Sequence, residues 1–279
     1  LNAAGRLEHA IASYQLLTTD SPQEAQRLAA WLEEKNTERQ ELTVKTLAQA
    51  REQILAQGIS PLLMAMDKDY PLGIAGLAAS RITEEFYRPT VIIRVGEQLS
   101  SGSCRSIPEF NIILALNQCS SLFTHFGGHS QAAGFTLPTK DLPRLKERLS
   151  EIATTQLAGS DLRPSLDIDV EARLPELGGN TFRLIQKLAP FGRANPLPTF
   201  LSRRVEIIER RTMGNGEHLK LKLRQDGTVW DGVGFRLGSN LAEAMSPLDI
   251  VYNLEQDNWQ GEERLRLNIL DFAPPGQKG

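Results

Sequence analysis

The feature that most limits what this chain can fold into is a helical stretch of about 36 residues, roughly 54 Å long, with nothing to break it between Ser21 and Gly58. Its start is marked by Ser21-Pro22-Gln23-Glu24: a serine at the N-cap, proline at the first helical position and glutamate three residues after the cap. Ala25, Leu28, Ala29, Leu32, Leu42, Leu47, Ala50, Ile54 and Leu55 then recur at helical spacing. Helices of this length are coiled coils or struts. The central run from Glu33 to Gln40 is polar on every face, which points to a solvated connector.

Beyond the helix the chain changes character twice. From Ser60 apolar runs alternate with helical ones: Leu62 to Met66, Ile74 to Phe86, Val91 to Val95 and Ile112 to Phe123, closing with a helix from Leu142 to Ile152. Alternation of this kind predicts an α/β domain. After a linker at Ala158-Gly159-Ser160, the remainder reads as strands: Leu166 to Val170, Phe200 to Glu209, His218 to Arg224, Val229 to Phe235, Ile250 to Leu254 and Arg264 to Leu270, with one helix near Thr181 to Leu188. Five or six strands of that length predict a small β-barrel. The expected division is therefore residues 1–20 as the tail of a preceding domain, 21–58 as connector helix, 59–158 as the α/β domain and 160–279 as the barrel.

Composition narrows the function classes. The chain has 279 residues, 31 basic and 34 acidic, so its net charge of −3 argues against a polycationic nucleic-acid binder while leaving local patches open. Two cysteines, Cys104 and Cys119, with no zinc-like or disulfide-like spacing point to a reducing cytoplasm. No apolar run is long enough to span a membrane. The opening Leu1-Asn2-Ala3-Ala4-Gly5-Arg6 has neither an initiator methionine nor a leader pattern, and is expected to be preceded by further chain.

Three patterns carry candidate chemistry. In Phe126-Gly127-Gly128-His129-Ser130-Gln131-Ala132-Ala133-Gly134, glycines and small residues let the backbone approach a ligand closely, with one imidazole at the point of approach. A phosphate contact and a tight turn with a packed histidine both fit. In Gly102-Ser103-Cys104-Arg105-Ser106, small residues and hydroxyls surround a guanidinium suited to phosphate, or a surface strand carries an arginine. Between Arg183 and Arg224, ten basic residues, Arg193 among them, stand against three acidic ones, a local net of +7. In His218 to Arg224 the period of two sends the leucines inward and Lys220, Lys222 and Arg224 to one outer face, as does Arg264-Leu265-Arg266-Leu267. That ladder suits a phosphate backbone, or is a solvated sheet face, with Trp230 and Phe235 the nearest residues able to stack on a base. The four histidines make no metal-ligand cluster, and Asp167-Ile168-Asp169 reads as the exposed face of a strand.

Taken together, these segments resemble a known family. Gly127 to Phe135 is similar to the GGHxxAAG signature of the DHH-associated domain. The order of long helix, α/β domain and then Leu188 to Phe200 leading into a barrel resembles bacterial RecJ-type single-strand-specific exonucleases, and LNAAGRL resembles the end of their DHH catalytic domain. The resemblance implies an OB-fold for the barrel and a 5′-to-3′ exonuclease acting on single-stranded DNA in recombination and repair. It implies that His129, with the amides after Gly127 and Gly128, contacts the scissile phosphate, and that Arg105 and Ser106 grip the DNA backbone near its 5′ end. Asn2 and Arg6 would belong to the rim of the catalytic domain. Manganese or magnesium would be held by that domain, with no ligand in this chain, and recombination and mismatch-repair proteins are the implied partners.

The sequence departs from the family at Tyr70, where a histidine is usual, and at Cys104, where a smaller residue is common. Two alternatives stand beside this reading. One is a DHH-family phosphodiesterase acting on oligoribonucleotides or cyclic dinucleotides, against which the barrel argues. The other is a non-catalytic single-strand-binding relative.

Overall fold

A computed structural model describes residues 1–178, 180–192, 194–259 and 262–276, and its chain divides into two compact units, Leu1–Pro164 and Ser165–Gly279. Among the described residues no helix is long and apolar enough to cross a membrane.

In the first unit, two short helices, α1 (Ala4–Leu7) and α2 (Ile11–Thr18), lead into α3 (Pro22–Gln57). Ser21 caps α3 by accepting from the Glu24 amide at 3.3 Å, while the Glu24 carboxylate accepts from the Thr19 hydroxyl instead of closing the box on Ser21. Gly58, at φ +85°, ends the helix where an L side chain would be strained. The helix is buried near its two ends. Leu28 and Leu32 are covered on the side of α1 and α2, Ala50 and Ile54 on the side of β1 (Leu63–Asp67) and α4 (Leu72–Phe86), and the polar middle is largely solvated, as its composition predicts.

The sheet of this unit has the order β1-β2-β3-β5-β4, with β2 (Thr90–Arg94) parallel to β1, and β3 (Leu99–Arg105), β5 (Ala132–Pro138) and β4 (His125–His129) added antiparallel. Alternation along each strand divides its side chains between two faces. Val91, Ile93, Cys104, Ala133, Phe135 and Leu137 face a core shared with α5 (Ile112–Asn117) and α6 (Leu142–Gln156). On the opposite face Leu63, Ala65 and Ile92 pack beneath α3 and α4, and this second core stops at β2. Tyr70, at the position where the family has histidine, is 2% exposed within that core.

Three of the five strands escape a reading of apolar runs, because β3, β4 and β5 are built from Gly, Ser, Ala and His, which score poorly as strand formers. Tertiary burial of their alternate residues makes them strands. The expected helix from Ile112 to Phe123 is shorter, ending at Asn117 before a 3₁₀ turn at Ser120–Leu122.

The second unit is a closed five-stranded barrel of the OB type: β7 (Phe200–Met213), β8 (His218–Gln225), β9 (Thr228–Gly234), β11 (Glu262–Ala273) and β10 (Leu248–Trp259), with β10 returning to pair with β7. β9 and β11 run parallel and the other barrel pairs antiparallel. Leu219, Leu221, Leu223, Val205, Leu248, Ile250, Leu267 and Ile269 fill the interior. Tyr252 is fully buried there with its hydroxyl 2.8 Å from that of Ser202. The expected strand Leu166 to Val170 reduces to β6 (Val170–Glu171), paired only with the start of β7, and Leu166, Ile168 and Val170 are exposed. The helix near Thr181 is α7 (Thr181–Gln186).

Candidate nucleic-acid interface

Cross-strand register in the first unit decides which of the singled-out residues meet. Directly opposed residues on neighbouring strands point to the same face. The pairings therefore set three rows across β3, β5 and β4 on the face that carries α3 and α4: Arg105–Ala132–His129, Ser103–Gly134–Gly127 and Ser101–Thr136–His125. The helices cover β1 and β2, and α4 also reaches β3, but β4 lies beyond them, so His125, Gly127 and His129 are exposed and the β3 and β5 members half-buried. Arg105 and His129 lie two strand spacings apart, about 9.5 Å. The nine positions include two histidines and an arginine and no carboxylate.

The two glycines of the signature have different reasons to be glycine. Gly128 sits at φ +148°, and a Cβ there would lie 2.3 Å from the Ala132 carbonyl oxygen, so its identity is structural. Gly127 has no such reason: a Cβ would meet nothing within 4 Å. With Gly134 opposite it, Gly127 leaves a strip of bare backbone between the row ending in His129 and the row ending in His125. The motif is a hairpin: the edge strand β4, a two-residue turn at Ser130-Gln131 directly after His129, and the start of β5, with bare backbone at Gly127.

Arg105 projects from the end of β3, in the row beside this strip. One nitrogen of its guanidinium donates to the Cys104 carbonyl at 2.8 Å, and the other rests against α4 at Gly76, where a Cβ would approach it to 2.9 Å and Ser103 Oγ to 3.4 Å. Cys104 itself points to the opposite face, fully buried, and burial pushes its thiol up to about 12, so it neither crowds Arg105 nor acts as a nucleophile near neutral pH. Ser106 follows the strand, its hydroxyl donating to the Phe110 carbonyl at 2.6 Å and its amide to the Gln131 carbonyl at 2.9 Å, which fastens the β5 turn beside His129.

Arg6 comes to the same helix from the other end of the unit. Its guanidinium lies 3.4 Å from the Gly73 carbonyl, and its own carbonyl packs so closely on Gly73 that a Cβ would lie 1.9 Å away. Gly73 and Gly76 are one turn apart, so α4 seats Arg6 and Arg105 on neighbouring glycines. Asn2 is exposed and lines a groove of about 610 Å³ with Leu1, Arg6, Tyr14 and Leu17.

The ladder in the second unit has the expected inward leucines, yet its charge is not the free patch that counting suggests. Arg224 pairs with Glu206 at 2.8 Å, Arg211 approaches Glu209 at 3.9 Å, and Arg203 holds Glu171 at 2.9 Å and Asp249 at 3.2 Å. Arg210 donates to the carbonyls of Leu241 and Ala244. Lys222 stands between Glu209 on β7 and Asp231 on β9, whereas Lys220 stands between Arg211 and Val233. The net of +7 belongs to a sequence window, and Glu171, Asp231 and Asp249 enter from outside it; Arg193, included in that sum, lies outside the described residues. Trp230 is withdrawn from stacking, half-buried with its indole N–H donating to the Leu174 carbonyl at 3.1 Å. Phe235 remains 44% exposed, edge-on to His218 at 5.3 Å, with Arg266 5.6 Å over its ring.

Among the described residues no group of three or more His, Cys, Asp or Glu could hold a metal ion. His125 and His129 share a face but are about 13 Å apart along β4, beyond joint ligation. Asp169 is engaged by the Thr199 amide at 2.8 Å, so the Asp167-Ile168-Asp169 segment offers no ligand set. The donor set does not fit a divalent ion.

A family model described as the DHHA1 domain matches residues 53–155, and one described as the RecJ OB domain matches residues 168–271. The single-stranded-DNA-specific exonuclease RecJ of Bacillus subtilis (strain 168) is 33% identical over 98% of this chain and 36% of its own length. The protein of the same name from Thermus thermophilus is 29% identical over 99% of the chain and 39% of its own length. The crystal structure of RecJ in complex with Mg2+ from Thermus thermophilus superposes with a TM-score of 0.77 at 28% identity, covering 99% of this chain and 42% of that one. The chain thus spans well under half the length of these relatives.

Proposed function

The chain belongs to the RecJ family, of which it carries the DHHA1 and OB domains, and from that premise we propose that it is the DNA-gripping portion of a single-strand-specific 5′-to-3′ exonuclease acting in DNA recombination and repair. The observation that carries the reading is the open sheet face of the first unit, where the row that holds Arg105 and His129 borders a strip kept bare by Gly127.

In this role His129 donates to a non-bridging oxygen of the scissile phosphate, and the β4 backbone at Gly127 and Gly128 lets that phosphate come close. Arg105 neutralises the neighbouring backbone charge, while Ser106 holds the β5 turn and the strand end in register. Asn2 and Arg6 lie at the rim toward the catalytic portion. The divalent ions such hydrolysis uses would be held by the catalytic portion of the nuclease; among the described residues of this chain no donor set fits one. The barrel tracks the rest of the strand through Lys220, Lys222 and Arg224, and its partners are single-stranded DNA and recombination and repair proteins, in the cytoplasm.

The test is His129→Ala in the nuclease-active protein. Loss of a preorganised donor to the developing charge should cut the rate by about 10² or more while the denaturation midpoint and most of the DNA affinity remain. A lowered midpoint with normal specific activity would assign His129 to packing instead.

A further inference from the structure

The row on the far side of the bare strip has no part in the role just described. It ends in His125, exposed on the same face and strand as His129, and it carries two hydroxyls, Ser101 Oγ and Thr136 Oγ1, bonded to one another at 3.1 Å. On β2 the same row continues to Arg94, whose side chain is exposed. On β1 the row ends in Asp67 beside Arg94, so its part on β3, β5 and β4 carries two hydroxyls and an imidazole without a carboxylate, and Gly127 lies midway between that imidazole and His129.

Two further observations give the strip a direction. On the β3 side it is closed by α4, since Gly76 sits against Ser103 and Arg105. On the other side β4 is the edge of the sheet, and four of its five residues are exposed. An extended ligand has free passage along β4 and not across the strands. A chain lying there meets His129, passes over Gly127 where a side chain would obstruct it, and meets His125 about 13 Å further on.

We propose that His125, supported by the Ser101–Thr136 hydroxyl pair, is a second backbone-phosphate contact on this unit and positions the strand downstream of the phosphate at His129. This rests on the function proposed above and deepens it. The ligand chemistry is a phosphodiester chain in extended form. At roughly 3.4 Å per stacked nucleotide, and more when the chain is drawn out, the two imidazoles are separated by up to about four nucleotides. His125 is thus a positioning residue whose contribution depends on substrate length, because a ligand too short to reach it gains nothing from it.

The experiment compares His125→Ala and His125→Lys with the unaltered, nuclease-active protein on a 5′-phosphorylated dinucleotide and on single strands of about ten nucleotides. On the longer strand His125→Ala should raise KM about three- to tenfold, the worth of one hydrogen bond, with kcat little changed, and His125→Lys should restore KM. On the dinucleotide both variants should match the unaltered protein. An equal loss on both substrates, a loss that lysine does not rescue, or no loss on the longer strand would overturn the assignment. Failure of the unaltered protein to degrade any single strand would instead defeat the underlying function, so the two failures are distinguishable.

Discussion

The sheet of the first unit and the ladder of the second make an instructive pair, because the one with fewer charges has the fewer counter-charges beside them. The ladder has Lys220, Lys222 and Arg224 on one face, yet Arg224 is held by Glu206 and Lys222 stands between Glu209 and Asp231. The sheet face has only Arg105, His125 and His129 in its nine central positions, with no carboxylate among them and a floor of glycine, serine and alanine. A phosphate approaching the ladder must compete with acids already in place, at a surface where each pair is worth little on its own. A phosphate approaching the sheet meets cations and open backbone. The two surfaces differ in competing charge and in side-chain bulk, and both are least where the sheet is bare.

The sharpest way to break that contrast is to fill the strip. Gly127→Ala adds a Cβ into space with nothing within 4 Å, so stability should be unchanged, while displacement of the substrate by about 1 Å should cost ten- to a hundredfold in kcat/KM. A normal rate with the alanine in place would mean that nothing passes over Gly127.

A smaller effect should come from altering the ladder's compensation. Removing the acids with Glu206→Gln and Glu209→Gln should free Arg224 and Lys222, raising single-stranded DNA affinity a few-fold and steepening its salt dependence by about one unit for each additional phosphate neutralised. Lys220→Ala with Lys222→Ala should reduce the slope by up to about two units. Titrations across ionic strength measure both, and slopes unmoved by either pair of changes would leave the ladder as a solvated face.

The smallest change concerns how Arg105 is seated. In Gly76→Ala the new Cβ would come within 2.9 Å of the guanidinium, a flexible side-chain end that can shift, so the fold should hold and gain slightly in helix propensity. KM for single-stranded DNA should rise about threefold. An unaltered KM would show that the seat of Arg105 on α4 has no part in binding.

Much of this architecture was legible along the chain. The strut α3 follows from one cap, one terminal glycine and 36 residues without a breaker, all local properties. The inward leucines of β8 follow from a period of two, and the signature from Gly127 to Phe135 singled out His129 without revealing the strand that carries it. These features are contained in neighbouring residues, whose backbone geometry decides which face each side chain takes.

Other features needed the tertiary structure, for a different physical reason. The sheet strands β3, β4 and β5 are poor in strand-forming residues, and burial of Cys104, Ala133, Phe135 and Leu137 against α5 and α6 fixes β3 and β5, on which β4 pairs. The partnership of Arg105, His129 and His125 depends on β5 lying between β3 and β4, a register that no spacing in the sequence encodes. The different reasons for Gly127 and Gly128 appear only when a Cβ is placed among neighbours. Likewise the ladder's counter-charges, Asp231 and Asp249 among them, come from strands outside the basic window. Local sequence determined the elements and the faces of its regular strands. Which charges meet and which remain free was decided by contacts between residues distant in sequence, because electrostatic competition acts through space and not along the chain.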